Sequence, residues 1–214
     1  MITVIGNLKG GAGKSTVAFN LAIWLAVQGE EVRAFDLDPQ RTLSDVAEIR
    51  GEMGVTPLFP LQFGGVELLE GIEGTAGEVI VDVGTADMAA VKGALAIADR
   101  VLVPVPPSQA DIWSTQRFLS LLREAAGAQM PEVFVFVNRA DTHHSVRESD
   151  EAEQALSELE GITLLPHRLC QRTAFRRSFT EGLGVFELVP WSKASKEFSL
   201  FATALYPQTP TAGA

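Results

Sequence analysis

Only one cysteine, Cys170, stands among the 214 residues, with three histidines and one tyrosine. A single thiol excludes an internal disulfide and any metal site built on paired cysteines. Its expected place is the interior, as a small apolar residue. No stretch approaches the ~20 consecutive apolar residues of a membrane-crossing helix. Positive charge is scarce as well. The 17 Lys and Arg against 27 Asp and Glu leave a net charge of −10, which disfavours broad attraction to nucleic acid but leaves room for a local basic patch. The first residues are strand-like and lack a basic region ahead of an apolar core, so they do not read as a secretory leader. These absences predict a cytoplasmic setting.

What the chain does have is apolar content, 46% of residues, enough for a substantial core at this length. Short runs rich in β-branched residues recur at Ile2–Gly6, Val32–Asp36, Val79–Val83, Arg100–Val105, Val133–Asn138 and Ile162–Leu165. Their near-continuous hydrophobicity fits parallel strands covered on both faces. Helical patterns lie between them: a Val17, Leu21, Ala22, Leu25 stripe closed by Gly29, then Ala89–Ala98, Asp111–Ala126 and Glu148–Leu159. The alternation predicts an α/β fold, a doubly wound, mainly parallel sheet flanked by helices. One domain is expected over residues 1–206, with a frayed polar tail at 207–214. Residues 51–77 are rich in Gly and Pro; a short strand near Leu58–Gln62 and a helix near Gly65–Leu69 are expected there.

The first strand runs into Lys9-Gly10-Gly11-Ala12-Gly13-Lys14-Ser15-Thr16. Glycines let the backbone curl so that successive N–H groups face one anion. The helix that follows adds the positive end of its dipole. Lys14 can then reach terminal phosphates, and Ser15 can offer its hydroxyl to Mg²⁺. The strict G-x-x-x-x-G-K-[ST] pattern fails, because Leu8 stands where the first glycine belongs. A second lysine, Lys9, stands in the loop instead.

Two acidic strand ends accompany the loop. Asp36-Leu37-Asp38-Pro39-Gln40 places carboxylates at i and i+2, on one side of an extended segment. Such a pair suits metal orientation and water activation beside a phosphate cradle. The run Glu78-Val79-Ile80-Val81-Asp82-Val83-Gly84 ends in an acid able to hold Mg²⁺ through water. Gly84 would let a backbone N–H approach the terminal phosphate. Asn138, at another strand end, can present its amide to an adenine edge.

K-G-G-x-G-K-[ST] followed by D-x-D-P-Q resembles the deviant Walker A ATPases of the ParA/MinD family. The similarity extends to Arg177-Ser178-Phe179-Thr180-Glu181-Gly182-Leu183-Gly184-Val185-Phe186-Glu187 and is nearest the short ParA, ParF-like subgroup. The family often carries D-x-P-P where this chain has Asp82-Val83-Gly84-Thr85. The resemblance implies an Mg²⁺-dependent ATPase in which Lys9, Lys14 and Asp38 carry the chemistry. The nucleotide would lie on Gly10, Gly11, Ala12, Gly13, Lys14, Ser15, Thr16, Gly84, Asn138 and Arg139. Ser15, Asp36 and Asp82 would serve the metal. Lys9 would reach the nucleotide of a second copy, giving an ATP-dependent homodimer.

Family members differ mainly in the surface on which the dimer sits. The chain's final apolar helix has no basic face beyond Lys193 and Lys196, so a membrane is not expected as partner. Arg168, Arg172, Arg176, Arg177, Lys193 and Lys196 crowd one stretch in which only Glu181 and Glu187 oppose them. Four of these arginines are compatible with one face of a helix or turn near Arg168–Thr180. The resemblance makes Arg168, Arg172, Arg176, Lys193 and Lys196 candidates for non-specific DNA binding, with Arg172 and Arg176 foremost and Arg177 a support of the fold. It also implies a ParB-like adaptor that stimulates hydrolysis, and a nucleoid-associated protein that segregates DNA or positions a cargo. A MinD-like positioning ATPase and a P-loop enzyme phosphorylating a small molecule remain the alternatives.

Overall fold

The computed structural model describes residues 1–143 and 147–207; nearly all of the expected tail lies outside them. Among the described residues there are eight strands: β1 Ile2–Ile5, β2 Val32–Asp36, β3 Leu61–Phe63, β4 Glu78–Asp82, β5 Arg100–Val105, β6 Glu132–Ala140, β7 Thr163–Leu164 and β8 Leu169–Cys170. The sheet order is β3-β2-β4-β1-β5-β6-β7, with β8 also on β6, and every pairing is parallel. The helices are α1 Lys14–Val27, α2 Thr42–Glu52, α3 Met88–Ile97, α4 Gln109–Ala126, α5 Glu148–Ser157, α6 Thr173–Thr180, α7 Val185–Leu188 and α8 Lys193–Leu205.

Strand side chains alternate between two cores. Ile2 and Val4 pack with α3, α4 and α5, whereas Ile5 joins α1, α2, α7 and α8. Helix α1 is buried well beyond its expected stripe, since Ala18, Phe19 and Ile23 are inside as well. The reason is the C-terminal layer: Phe198, Phe201 and Leu205 of α8 join α1 in one core. Burying such side chains stabilises by about 1.5–3 kcal/mol each. Asn20 ties the layers by polar bonds, with its amide donating to the Thr16 carbonyl at 2.8 Å and its oxygen accepting from the Val185 N–H at 2.7 Å. Among the described residues no helix is long and apolar enough to cross a membrane.

Several boundaries shift. The 58–62 strand is found at Leu61–Phe63, and the 65–69 helix is a 3-10 turn over Val66–Leu69. Helix α2 has no counterpart among the expected elements, because its buried side is Leu43, Ser44, Val46 and Arg50, only half apolar. Arg50 is 1% exposed and ends on a Glu187 carboxylate (2.8 and 2.9 Å), the Gly182 carbonyl (3.0 Å) and the Pro57 carbonyl (2.9 Å). Gly182 has φ +64°, and a Cβ there would lie 2.6 Å from the Arg50 backbone nitrogen, so this glycine both adopts the turn and admits the neighbouring chain.

Candidate functional site

The register of the central strands builds the site. Asp82 pairs laterally with Ile5 on one side and Asp36 on the other, so both acids stand beside the loop that leaves β1. That point lies beyond the carboxyl ends of the strands, where open parallel sheets bind ligands. A cavity of about 380 Å³ opens there, lined by Gly10, Gly11, Gly13, Lys14, Ser15 and Thr16 with Asp38, Asn138 and Arg139. Its far wall is Cys170, Arg172, Phe175 and Phe198. The size suits a nucleotide-scale ligand.

The loop is held open from behind. Gly13 has φ +91°, and a Cβ on it would collide with the Asn138 amide. That amide donates to the Ala12 carbonyl and the Arg139 guanidinium to the Gly11 carbonyl, both at 2.7 Å. With two carbonyls turned back onto β6, the loop's N–H groups are free to face an anion. Lys14 is buried, and its ammonium reaches the Lys9 carbonyl at 3.5 Å. Burial lowers its pKa, opposed by the attraction of Asp82 and Asp38. Lys9 itself is exposed and its side chain makes no ion pair among the described residues.

The three acids separate into roles. Both Asp82 oxygens are buried without a hydrogen-bond partner. Burial pushes its pKa up to about 7, with the neighbouring Ser15 hydroxyl pulling down, Asp36 pushing up and Lys14 pulling down. An orphaned carboxylate beside a hydroxyl fits a hydrated Mg²⁺, and Ser15 and Asp82 are the residues that would hold it. Asp36 is equally buried, but one oxygen accepts from the Asp38 N–H (3.1 Å) and the other from the N–H and hydroxyl of Ser44 (both 2.8 Å). It fastens α2 and the 36–40 turn, with both of its oxygens engaged. Asp38 projects into the cavity wall, where a Cβ on Gly84 would come within 2.6 Å of its carboxyl. Gly84 therefore leaves room for the acid, in addition to any approach to phosphate.

Asp82 also links stability to pH. Its raised pKa means that the folded protein holds a proton the unfolded chain releases, so stability falls as pH rises from about 4 to about 7 and stays low above. In metal-free, nucleotide-free protein, Asp82→Asn should be more stable than wild type at pH 8 by on the order of 1–3 kcal/mol. The gain should shrink towards pH 5. Denaturant melts at the two pH values check this, and a pH-independent difference would count against it.

The basic cluster does not hold together as expected. Helix α6 begins at Thr173, so Arg168 and Arg172 lie outside it. Arg168 bridges Asp150 (2.9 Å) and Glu153 (2.7 Å), and Arg172 chelates Glu197, its Nε lying 3.0 Å from one oxygen. The opposing acids come from α5 and α8, beyond the reach of a local charge count. Arg177 is exposed and, among the described residues, its one ion pair is with Glu181 at 3.7 Å. Arg176, Lys193 and Lys196 are exposed and form no ion pair among the described residues. Cys170 is half-buried on the cavity wall, its thiol pKa raised first by burial and then by Glu197.

A strand, a glycine cradle with a buried lysine, and two acidic strand ends on a parallel sheet define a P-loop nucleoside triphosphatase with a second lysine in its loop. Residues 3–186 match the CobQ/CobB/MinD/ParA nucleotide binding domain, and the chain belongs to that family as an ATPase of the ParA/MinD type. It is 32% identical over 193 residues to a maintenance of carboxysome distribution protein A from Gloeobacter kilaueensis, covering 87% of this chain and 84% of that one. It is 31% identical over 189 residues to a protein ParA from Rhizobium radiobacter, covering 85% and 83%. Among solved structures, apo McdA from Cyanothece superposes with a TM-score of 0.77 at 21% identity, over 95% of this chain and 98% of that one. The septum site-determining protein MinD from Pyrococcus horikoshii, solved with Mg-ADP, gives 0.74 at 18% identity, over 96% and 95%.

Proposed function

We propose that two copies of this chain close on a pair of Mg-ATP molecules and separate when ATP is hydrolysed, a cycle that segregates DNA or positions a cargo. The observation that carries the reading is the contrast between the two loop lysines. Lys14 is buried at its own cradle, while Lys9 is exposed at the same loop and pairs with no carboxylate among the described residues. A cation so placed suits phosphate carried by a neighbouring copy. The similarity to a carboxysome distribution protein and to a ParA protein supports a partition or positioning cycle.

Within each copy, the N–H groups of Gly10 to Thr16 and the Lys14 ammonium bind the phosphates. Ser15 and Asp82 are the residues that would hold Mg²⁺, which would supply charge neutralisation for the phosphates. Asp38 orients the attacking water. Asn138, with one of its two N–H donors given to Ala12, offers its amide oxygen to the exocyclic amine of adenine. The dimer works in the cytoplasm on the nucleoid and hands its timing to a ParB-like adaptor that accelerates hydrolysis.

The DNA surface is assigned to Arg176, Lys193 and Lys196, the basic side chains left free of carboxylates, with Arg168 and Arg172 held by their ion pairs. Dimerisation doubles this patch and makes weak binding multivalent. Replacing Lys196 by Glu should weaken ATP-dependent DNA binding roughly tenfold and lower the slope of log affinity against log salt by about 1 for each DNA phosphate no longer neutralised. Filter binding across a salt series measures both. Unchanged affinity and slope in Lys193→Glu and Lys196→Glu alike would remove DNA from this surface.

A further inference from the structure

The loop lysine needs a fixed base if it is to act on another copy, and one buried side chain supplies it. Asn7 lies between β1 and Lys9 and is 3% exposed. Its amide nitrogen donates to the Pro104 carbonyl in β5 at 2.8 Å. Its oxygen accepts from the Lys9 backbone N–H at 3.0 Å and lies 3.5 Å from the Ser114 hydroxyl of α4. The bond to Lys9 spans two residues, the local turn that Asn side chains favour. The bond to Pro104 spans 97 residues and ties that turn to the β5–α4 junction. On its other side the Lys9 carbonyl faces the Lys14 ammonium. The backbone of Lys9 is thus held at both its N–H and its C=O, while the side chain stays unpaired and exposed.

We infer that Asn7 is the positioning residue that aims Lys9 at the second copy, by locking the first turn of the loop onto the β5–α4 junction. The inference rests on the ATP-bridged dimer proposed above. Ordering a flexible lysine across an interface costs conformational entropy, and a rigid base limits that cost to the side chain alone. Among the described residues the Asn7 side chain bonds to Pro104, Lys9 and Ser114 and not to the Gly10–Thr16 amides or the acids, so its effect falls on association and spares nucleotide capture. A residue needed only for folding would lower stability and nucleotide affinity together.

The test is a double-mutant cycle on ATP-analogue-dependent dimerisation, followed by sedimentation of wild type, Asn7→Ala, Lys9→Ala and the double variant. A non-hydrolysable ATP analogue is the ligand, and binding of a fluorescent ADP is measured in parallel. Asn7→Ala should weaken association about tenfold or more and leave ADP affinity within about threefold of wild type. The double variant should be no weaker than Lys9→Ala, since a base matters only while the lysine is present. Asn7→Ser keeps a hydroxyl for the Lys9 N–H but is too short for Pro104; it should share the association defect and supplies the reading if the alanine variant does not fold. Wild-type dimerisation in the Asn7 variants, or additive losses in the double variant, would overturn the assignment while Lys9→Ala remained impaired. A Lys9→Ala protein that dimerises normally would remove the lysine bridge itself, and Asn7's role with it.

Discussion

Replacing Lys14 by methionine should lower ATP affinity at least about 100-fold, because it removes a charge-assisted bond to phosphate inside a buried site where water cannot substitute. At the same time the repulsion between ATP and the Asp36, Asp38 and Asp82 cluster goes uncompensated. The fold should survive. Burial already outweighs the pull of the acids on Lys14 and lowers its pKa, so the apolar replacement removes a desolvated cation and leaves a volume well filled. Arginine should not rescue binding, since its planar fork does not fit a space shaped for a single ammonium. Titration of a fluorescent ATP analogue, beside a thermal melt, gives both readings. Affinity within about threefold of wild type in the methionine variant would detach Lys14 from the phosphates.

Stability should suffer most at Arg50. Its guanidinium anchors the end of α2 to Glu187 in α7, to the Gly182 carbonyl in the turn before it and to the Pro57 carbonyl. Arg50→Ala leaves a cavity, two carbonyls without donors and a partly buried Glu187 without its partner, 20% exposed at the side chain. Breaking such an arrangement from one side costs about 3 kcal/mol. For a chain of this size that corresponds to a fall in melting temperature of roughly 6–12 °C. Lysine should recover little, because one ammonium cannot serve the carboxylate and both carbonyls. The Glu187→Gln variant should lose less than Arg50→Ala, since an amide still accepts from the guanidinium. A melting shift under about 2 °C for Arg50→Ala would show that the neighbouring packing holds α2 in place without it.

The parts of this architecture legible in the sequence are those with local signatures. Short, largely apolar runs mark β1, β2, β4, β5 and β6, and the Lys9–Thr16 loop announces itself by glycine spacing between a strand and a helix. Helix α2 escapes because its inward side is built from a serine and an arginine as much as from Leu43 and Val46. The partners that make those polar residues inward-facing, Asp36 and Glu187, lie 8 and 137 residues away from them. The same limit governs charge. Arg168 and Arg172 stand in a basic stretch, yet their partners come from other helices packed against them. Asp36 and Asp82 look equivalent as strand-end acids. They differ only in what surrounds them: Asp36 accepts from Ser44 and a backbone N–H, whereas both Asp82 oxygens are buried without a partner. Asn7 carries no periodic or compositional signal, since its role lies in reaching Pro104 across the sheet.

ATP is proposed to join two copies, and its hydrolysis to part them. Light scattering of the 23.0 kDa chain through a single turnover can follow both events in one sample. With Mg-ATP the mass should rise to about 46 kDa, a closed pair, and fall back as the bound nucleotide becomes ADP. A protein that binds Mg-ATP to saturation and keeps the mass of one copy throughout would refute the ATP-bridged pair.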